Sequence, residues 1–136
     1  EHRFEKVEII NGTRFINDSK STNFHSVSSA SERVKNALLI MHGITKNIPT
    51  SELQLSNEIK KIIIPNDMNL DHNLFHCEVE VIKSIFELED ILKKDFQRFE
   101  TVLFSCGGSS FNDFENYIER GKFFKSIVKN LKGGQN

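Results

Sequence analysis

Tryptophan is absent from this 136-residue sequence, which also contains only two cysteines and two prolines. Two cysteines do not make the disulfide framework of a small secreted domain, so we expect reduced thiols and a cytoplasmic location. Basic and acidic residues nearly balance, 18 against 19, and the net charge of -1 gives no long-range attraction to nucleic acid or to an anionic membrane. We therefore expect neither as a partner, and any anion site must be local.

Long hydrophobic runs are missing as well. No apolar run approaches the ~20 residues that a helix needs to span a bilayer, and the first five residues lack the basic and then apolar pattern of a secretory signal. Hydrophobic residues make up 38% of the chain, and twelve of the residues are phenylalanine. We expect residues 1–136 to form a single soluble domain with an aromatic-rich core.

Strand patterns and helix patterns alternate along the chain. Two β-forming runs flank Asn11-Gly12, a dipeptide that readily takes positive φ, and they predict a hairpin. Apolar runs that begin at Ala37, Ile62 and Thr101 suit strands buried on both faces, and residues 77–82 alternate as a further strand. The sequence predicts an α/β fold: a Rossmann-like, mostly parallel sheet of about six strands, with one antiparallel strand from the N-terminal hairpin and helices on both faces.

Helices are predicted in the intervals, over about 23–34, 51–58 and 85–95. A long helix is predicted after the last strand, as far as about Leu131. Ser110 and Asp113, three residues apart, have the pattern of a capping box at its start.

The residues that follow three of the strands carry the chemistry of a ligand site. They are Asn17–Asn23 after the hairpin, His42–Lys46, and Ser105–Ser110. Because ligands bind at the carboxyl ends of strands in an open α/β sheet, we expect these segments to face one crevice. Backbone N–H groups near Ser110 and the positive end of the helix dipole would attract a carboxylate or a phosphate. A tight turn followed by an ordinary cap explains the same residues equally well.

Side chains for an anion are present in two of these segments. Lys20 and Lys46 are candidate cations and Thr22 is a candidate hydroxyl donor, although either lysine also suits a solvated surface position. Asp18 can accept from ribose hydroxyls or stabilise a turn. The common phosphate-binding and nucleophile loops are absent from the sequence. We assign no catalytic residue and no metal site.

Two stretches of the sequence resemble the C-terminal domain of the Mur ligase family. One comprises His2-Arg3-Phe4-Glu5, Asn11-Gly12 and Phe15-Ile16-Asn17-Asp18-Ser19-Lys20-Ser21-Thr22-Asn23. The other runs from Ser105-Cys106-Gly107-Gly108-Ser109-Ser110 to Lys125. The resemblance extends in consistent order from His2 to about Leu131, and the pattern Asp-Ser-Lys-x-Thr-Asn is similar to that of the members that add D-glutamate.

The resemblance implies an ATP-dependent amide ligation in cytoplasmic peptidoglycan synthesis. In this family ATP and Mg²⁺ convert the carboxylate of UDP-N-acetylmuramoyl-L-alanine into an acyl phosphate, which the amine of D-glutamate then attacks. ATP phosphates and Mg²⁺ are bound mainly by a central domain, and the UDP sugar by an N-terminal one. We therefore expect residues 1–136 alone to be inactive and the full-length enzyme to be a monomer.

The resemblance also assigns two groups of ligand-binding residues. The residues that would bind D-glutamate are Thr22, Lys46, Ser110, Phe111 and Tyr117. The first two would hold its α-carboxylate, and the other three would receive its side-chain carboxylate. The residues that would meet the nucleotide from across an interdomain cleft are Arg3, Asp18 and Lys20.

The chain departs from the family pattern at several loop positions. Paired glycines usually stand where this chain has His42-Gly43, a proline where it has Cys106, and Phe is common at Tyr117. Pro65-Asn66-Asp67 replaces a glycine-containing loop. Two alternatives stay open: a noncatalytic α/β interaction module that keeps the fold, and the C-terminal domain of a sibling ligase that adds another amino acid.

Overall fold

The computed structural model describes residues 1–45 and 49–134. The strands in these ranges are β1 (Glu5–Ile10), β2 (Thr13–Asp18), β3 (Ala37–His42), β4 (Ile59–Pro65), β5 (Glu78–Ile82) and β6 (Thr101–Gly107). The α-helices are α1 (Phe24–Ser31), α2 (Leu88–Asp95) and α3 (Tyr117–Gly133). No helix in the described ranges is both long and apolar enough to cross a membrane.

The six strands form one mixed sheet in the order β1-β2-β6-β3-β4-β5. β1 and β2 pair antiparallel, and every other neighbouring pair is parallel. Asn11 and Gly12 connect the antiparallel pair with φ of 50° and 87°, as a tight hairpin turn requires. The predicted α/β fold with its N-terminal hairpin is confirmed.

Helices cover both faces of the sheet because alternate residues of each buried strand point to opposite faces. Leu38 and Ile40 of β3 belong to the core beneath α2 and α3, whereas Leu39 and Met41 belong to the core beneath α1. Five phenylalanines are buried in the first of these cores and one in the second, so the aromatic-rich core expected from the composition lies mainly beneath α2 and α3. There the ring of Phe104 stacks on that of Phe124 with 4.6 Å between centroids.

The helix predicted over 51–58 is wrong. A single 3₁₀ turn, Thr50–Glu52, forms, and the chain then continues without a helix to β4. The hydroxyl of Ser28 in α1 accepts a hydrogen bond from the backbone N–H of Gln54 at 2.8 Å, and a second serine of α1 binds the backbone in the same way two residues later. These bonds to α1 take the place of bonds that a helix would make within itself. The helix predicted over 85–95 is confirmed, with its first turn in 3₁₀ form.

The N-terminal residues are fixed to the sheet through Glu5. Its carboxylate accepts hydrogen bonds from the N–H of His2 at 3.1 Å, the amide of Asn17 at 2.9 Å and the ammonium of Lys125 at 2.8 Å. Burial raises the pKa of Glu5, but these three hydrogen bonds outweigh it and bring the pKa to about 2. The carboxylate therefore stabilises the folded state at neutral pH.

Acid should remove this contribution. Because the pKa of Glu5 is lower in the folded chain than the ordinary value of 4.5, its stabilising effect is complete above that value and is lost as the pH falls toward about 2. As the pH is lowered through this interval, we expect the free energy of unfolding of Glu5→Gln to decrease less steeply than that of the unmodified chain. Chemical denaturation at a series of pH values measures the slope, and Glu115→Gln at an exposed position is the control. Equal slopes in the two variants would contradict the assignment.

Candidate functional site

Three loops after neighbouring strands meet at one edge of the sheet. We call them the β2 loop (residues 19–23), the β3 loop (43–45) and the β6 loop (108–116). The N–H of Gly107 donates to the carbonyl of Ser21 at 2.8 Å. Ile44 and Ser109 exchange two backbone hydrogen bonds, each 2.9 Å long. The expected convergence of the three strand ends is thus present in the described part of the chain.

Two glycines allow the β3 loop and the β6 loop to touch through their backbones. Gly43 has a φ of 125°, and a Cβ on it would lie 2.4 Å from the carbonyl oxygen of Ser109. A Cβ on Gly108 would lie 2.7 Å from the carbonyl carbon of Gly43. Any side chain at either position would separate the loops, so glycine is required for their contact.

Arg120 of α3 connects all three strand ends from below. The side chain is fully buried. One terminal nitrogen donates to the carbonyls of Gly108 at 2.8 Å and His42 at 3.2 Å, and the other donates to the carbonyl of Ser19 at 2.7 Å. The sequence reading missed this residue, although a lone arginine inside the apolar stripe of a long helix is the signal that marks it.

His42 is a second connection that sequence reasoning did not identify. Its imidazole is fully buried, and its Nε2 lies 2.7 Å from a carboxylate oxygen of Asp113 in the β6 loop. Its Nδ1 faces a guanidinium nitrogen of Arg120 at 3.3 Å. Burial lowers the pKa of His42, although the hydrogen bond with Asp113 opposes this effect. The imidazole is therefore neutral at neutral pH.

The start of the last helix differs from the prediction. α3 begins at Tyr117, and its cap is Asn116, whose side chain accepts from the N–H of Glu119 at 2.9 Å. Ser110 is therefore not a helix cap; its carbonyl instead accepts from the N–H groups of Asp113 and the next residue, at 3.2 and 2.9 Å. The prediction failed because Asn116 satisfies the same capping pattern six residues later, so the dipole end does not lie at Ser110.

The residues predicted to bind D-glutamate occupy different environments around the joined loops. Ser110 is buried, Thr22 is exposed, and Phe111 projects into solvent with 73% of its surface accessible. Tyr117 is half-buried at the start of α3, and its carbonyl accepts from the hydroxyl of Ser19 in the β2 loop at 2.8 Å. Lys46 lies outside the described residues, so its role stays a prediction.

The residues predicted to meet the nucleotide divide into two places. Arg3 and Asp18 line a pocket of about 280 Å³ together with His25 and Arg33, which lie on one face of α1 or just beyond its end. Lys20 is instead exposed beside Tyr117, one of the residues predicted to bind D-glutamate, with its ammonium 5.8 Å from the centre of the Tyr117 ring. The guanidinium of Arg33 covers the ring of Phe4 at 3.7 Å. His25 and Arg33 were not predicted; their eight-residue spacing, two helical turns, is the signal that was available.

The carboxylate of Asp18 is already engaged within the protein. One oxygen accepts from the N–H of Phe4 at 2.9 Å, and the other accepts from the hydroxyls of Ser105, at 2.7 Å, and Ser21. Asp18 is 3% exposed. It connects the N-terminal segment, the β2 loop and β6, which agrees with the turn-stabilising reading of this residue.

Cys106 of β6 lies beneath the joined loops and is fully buried. Burial raises the pKa of its thiol to about 12. The thiol therefore stays protonated at neutral pH and is unsuited to nucleophilic attack. The described residues also contain no group of three or more acidic, histidine or cysteine side chains placed to bind a metal ion.

Comparison with known proteins gives a consistent set of relatives, although no protein-family model matches the chain. The chain is 36% identical over 139 residues to the UDP-N-acetylmuramoylalanine--D-glutamate ligase of Thermosipho africanus (strain TCF52B), which covers 98% of this chain and 33% of that protein. It is 30% identical over 145 residues to the ligase of the same name from Thermotoga maritima, covering 98% and 32%. The ligase of that name from Prochlorococcus marinus (strain MIT 9515) is 32% identical over 143 residues, covering 93% and 29%.

The chain thus spans about a third of the length of the curated relatives that it matches, which is the size of one domain. The identity runs along nearly the whole of this chain and not along one motif. These similarities confirm the resemblance predicted from the sequence: the chain is a homologue of the D-glutamate-adding members of the Mur ligase family, consistent with their C-terminal domain.

Proposed function

We propose that the chain is the D-glutamate-binding domain of an ATP-dependent ligase that joins D-glutamate to UDP-N-acetylmuramoyl-L-alanine in peptidoglycan synthesis. One observation carries this proposal: at one edge of the sheet the β2 loop is bonded through Ser21 to the end of β6, and the β3 loop is bonded through Ile44 to Ser109 of the β6 loop. Segments far apart in sequence can therefore contact one small ligand together.

The chemistry of D-glutamate suits this edge. The amino acid carries two carboxylates, so its binding needs cations, hydroxyl groups and backbone N–H donors at two separate points. Thr22 and Lys46 would hold the α-carboxylate. Ser110 and the backbone near Phe111 and Tyr117 would receive the side-chain carboxylate, within a loop that Asp113 and Asn116 fix at its far end.

The domain would contribute to the reaction by positioning. When bound with Mg²⁺, ATP would supply the phosphoryl group that activates the carboxylate of the UDP-linked substrate, and we place the phosphates and Mg²⁺ mainly on the rest of the enzyme. The residues of this chain would orient the amine of D-glutamate toward that carbonyl and keep the two carboxylates away from it. No group in the described residues is assigned to remove a proton.

On the nucleotide side, Arg3 and Lys20 would contribute exposed cations. Asp18 would act through its neighbour, because its carboxylate is engaged by Phe4 N–H and by two serine hydroxyls. Its bond to Phe4 fixes the short segment from which Arg3 projects. This refines the predicted role of Asp18 from direct contact to placement of Arg3.

Kinetics of the full-length enzyme test the proposed site. We expect Ser110→Ala, Thr22→Ala and Lys46→Ala each to raise the KM for D-glutamate about 10-fold or more, because a hydrogen bond to a charged group contributes about 1.5–3 kcal/mol. Ser126→Ala is the control: it removes a hydroxyl that donates to the Phe123 carbonyl on the exposed side of α3. Unchanged dependence on D-glutamate in all three variants would reject the site.

Binding to the isolated chain gives a second test. We expect D-glutamate to shift the backbone amide resonances of the β2 and β6 loops, and L-glutamate to shift them less. Affinity will be weak without the other domains, so the titration is run to saturation of the shifts. Shifts confined to other parts of the chain would contradict the proposal.

A further inference from the structure

The β6 loop has no helix or strand to fix its shape, although it carries Ser110 and Phe111. Within it, the carbonyl of Ser110 accepts the N–H groups of Asp113 and Phe114 at 3.2 and 2.9 Å. These bonds close a turn that begins at Ser110. The start of this turn is placed by the bonds between Ser109 and Ile44, and the position of its other end depends on what Asp113 binds.

Asp113 binds His42, at the end of β3. The distance from Nε2 to the carboxylate oxygen is 2.7 Å. Arg120 can only donate hydrogen bonds, so the His42 Nδ1 that faces it at 3.3 Å must accept. The ring proton then lies on Nε2, where it donates to the carboxylate of Asp113 in a short charge-assisted bond.

The imidazole itself has one orientation. It is fully buried, its ring packs edge-on against Phe114 with 5.4 Å between centroids, and Arg120 also binds its backbone carbonyl. The carboxylate of Asp113 retains partial solvent access, with 27% of its side chain exposed. The rigid partner in the pair is therefore His42, and the loop residue follows it.

We propose that His42 is a positioning residue for the D-glutamate site: through Asp113 it fixes the turn that begins at Ser110, and it thereby sets the point that receives the side-chain carboxylate of the amino acid. This inference rests on the proposed function. His42 does not touch the ligand in this arrangement. It determines how closely the Ser110 turn matches the distance between the two carboxylates of D-glutamate.

The charged groups around the imidazole of His42 determine which of its contacts require the neutral form. It faces Asp113 of the β6 loop, Arg120 of α3, and, at longer range, Asp67 just after β4. Protonation of Nδ1 would place an N–H against the guanidinium of Arg120, donor against donor. Protonation would therefore remove the contact between Nδ1 and Arg120, whereas the Nε2–H bond to Asp113, which positions the loop, would remain.

Variants of the full-length enzyme distinguish a positioning role of His42 from a role in stability alone. His42→Phe keeps an aromatic ring but removes the donor, Asp113→Ala removes the acceptor, and His42→Gln keeps a donor near Nε2. We expect the first two each to raise the KM for D-glutamate on the order of 10-fold, with the KM values for ATP and for the UDP-linked substrate unchanged. We expect the double variant to add little to either single change, and His42→Gln to recover part of the loss.

Amide hydrogen exchange on the isolated chain gives a readout that needs no ligand. In His42→Phe the N–H groups of Asp113 and Phe114 should exchange faster, while that of Glu119, which Asn116 caps, should not. Unchanged exchange at Asp113 and Phe114, or equal changes in all three KM values, would overturn the inference. If Ser110→Ala raises the KM for D-glutamate and His42→Phe does not, the proposed function stands and only the role of His42 fails.

Discussion

Replacing Arg120 with alanine is expected to lower the free energy of unfolding by about 3–5 kcal/mol. The guanidinium donates hydrogen bonds to the carbonyls of Ser19, His42 and Gly108. Each buried carbonyl left without a donor lowers the free energy of unfolding by about 1–3 kcal/mol. The vacated space adds a cavity cost. Denaturant unfolding followed by circular dichroism measures the change.

Two further variants test whether the loss comes from the hydrogen bonds of the Arg120 guanidinium. Arg120→Lys keeps the positive charge, but one ammonium cannot reach three carbonyls placed around a planar fork, so we expect it to recover less than half of the loss. Arg98→Ala is the control, since Arg98 is about half exposed and its ion pairs with Asp95 and Glu78 lie at the surface. A loss below about 1 kcal/mol for Arg120→Ala would show that solvent replaces the arginine at the three carbonyls.

Gly43→Ala is expected to lower the free energy of unfolding by about 2–4 kcal/mol through backbone strain and overpacking. The new methyl group would meet the carbonyl oxygen of Ser109 at 2.4 Å and the backbone of Gly108 at 2.6 Å. Backbone cannot rotate away as a flexible side chain can. The Ile44–Ser109 hydrogen bonds should therefore break, and amide exchange at these two residues should accelerate.

Gly12→Ala is the matched control for this variant. Gly12 also has a positive φ, 87°, but a Cβ there would have no heavy atom within 4 Å. It should show only the conformational cost, about 1–2 kcal/mol, and no effect on the β3 and β6 loops. If Gly43→Ala and Gly12→Ala had equal costs, the close contact between the two loops would be contradicted.

The mostly parallel sheet with its N-terminal hairpin and the convergence of the loops were predictable because they follow from short-range patterns, whereas the strand order was not predicted. The Asn11-Gly12 turn and the apolar run from Ala37 each have a local signature. The parallel arrangement of the strands then places the carboxyl ends of β2 and β3 at one edge of the sheet. The β2 loop therefore meets the end of β6 as expected, through the hydrogen bond between Ser21 and Gly107.

The elements that were missed depend on contacts between distant parts of the chain. The region 51–58 has helical composition in isolation, but hydroxyl groups of α1 bind its backbone instead. Asn116 competes with Ser110 as a cap, and a capping pattern alone does not rank the two positions. Arg120 likewise has no role predicted from the sequence, because its three carbonyl partners come from three other segments.

The contacts of Asp18 could be predicted only in part from the sequence, for a similar reason. Its position at the end of β2 suggested both a ligand contact and a turn, and the choice between them depended on Ser105, which lies 87 positions away in the sequence. His42 shows the same limit. A histidine in place of a family glycine was visible, but its partner Asp113 is 71 positions away.

The buried thiol of Cys106 can report the rate at which the domain opens. With no exposed surface and a pKa raised to about 12, it reacts with an alkylating reagent only after the core that covers this face of β6 has opened. Because that core also contains residues of β2, β3 and α3, the event amounts to opening of the domain rather than fraying of a loop. The rate at which this cysteine becomes labelled under native conditions thus records how often the molecule as a whole comes apart.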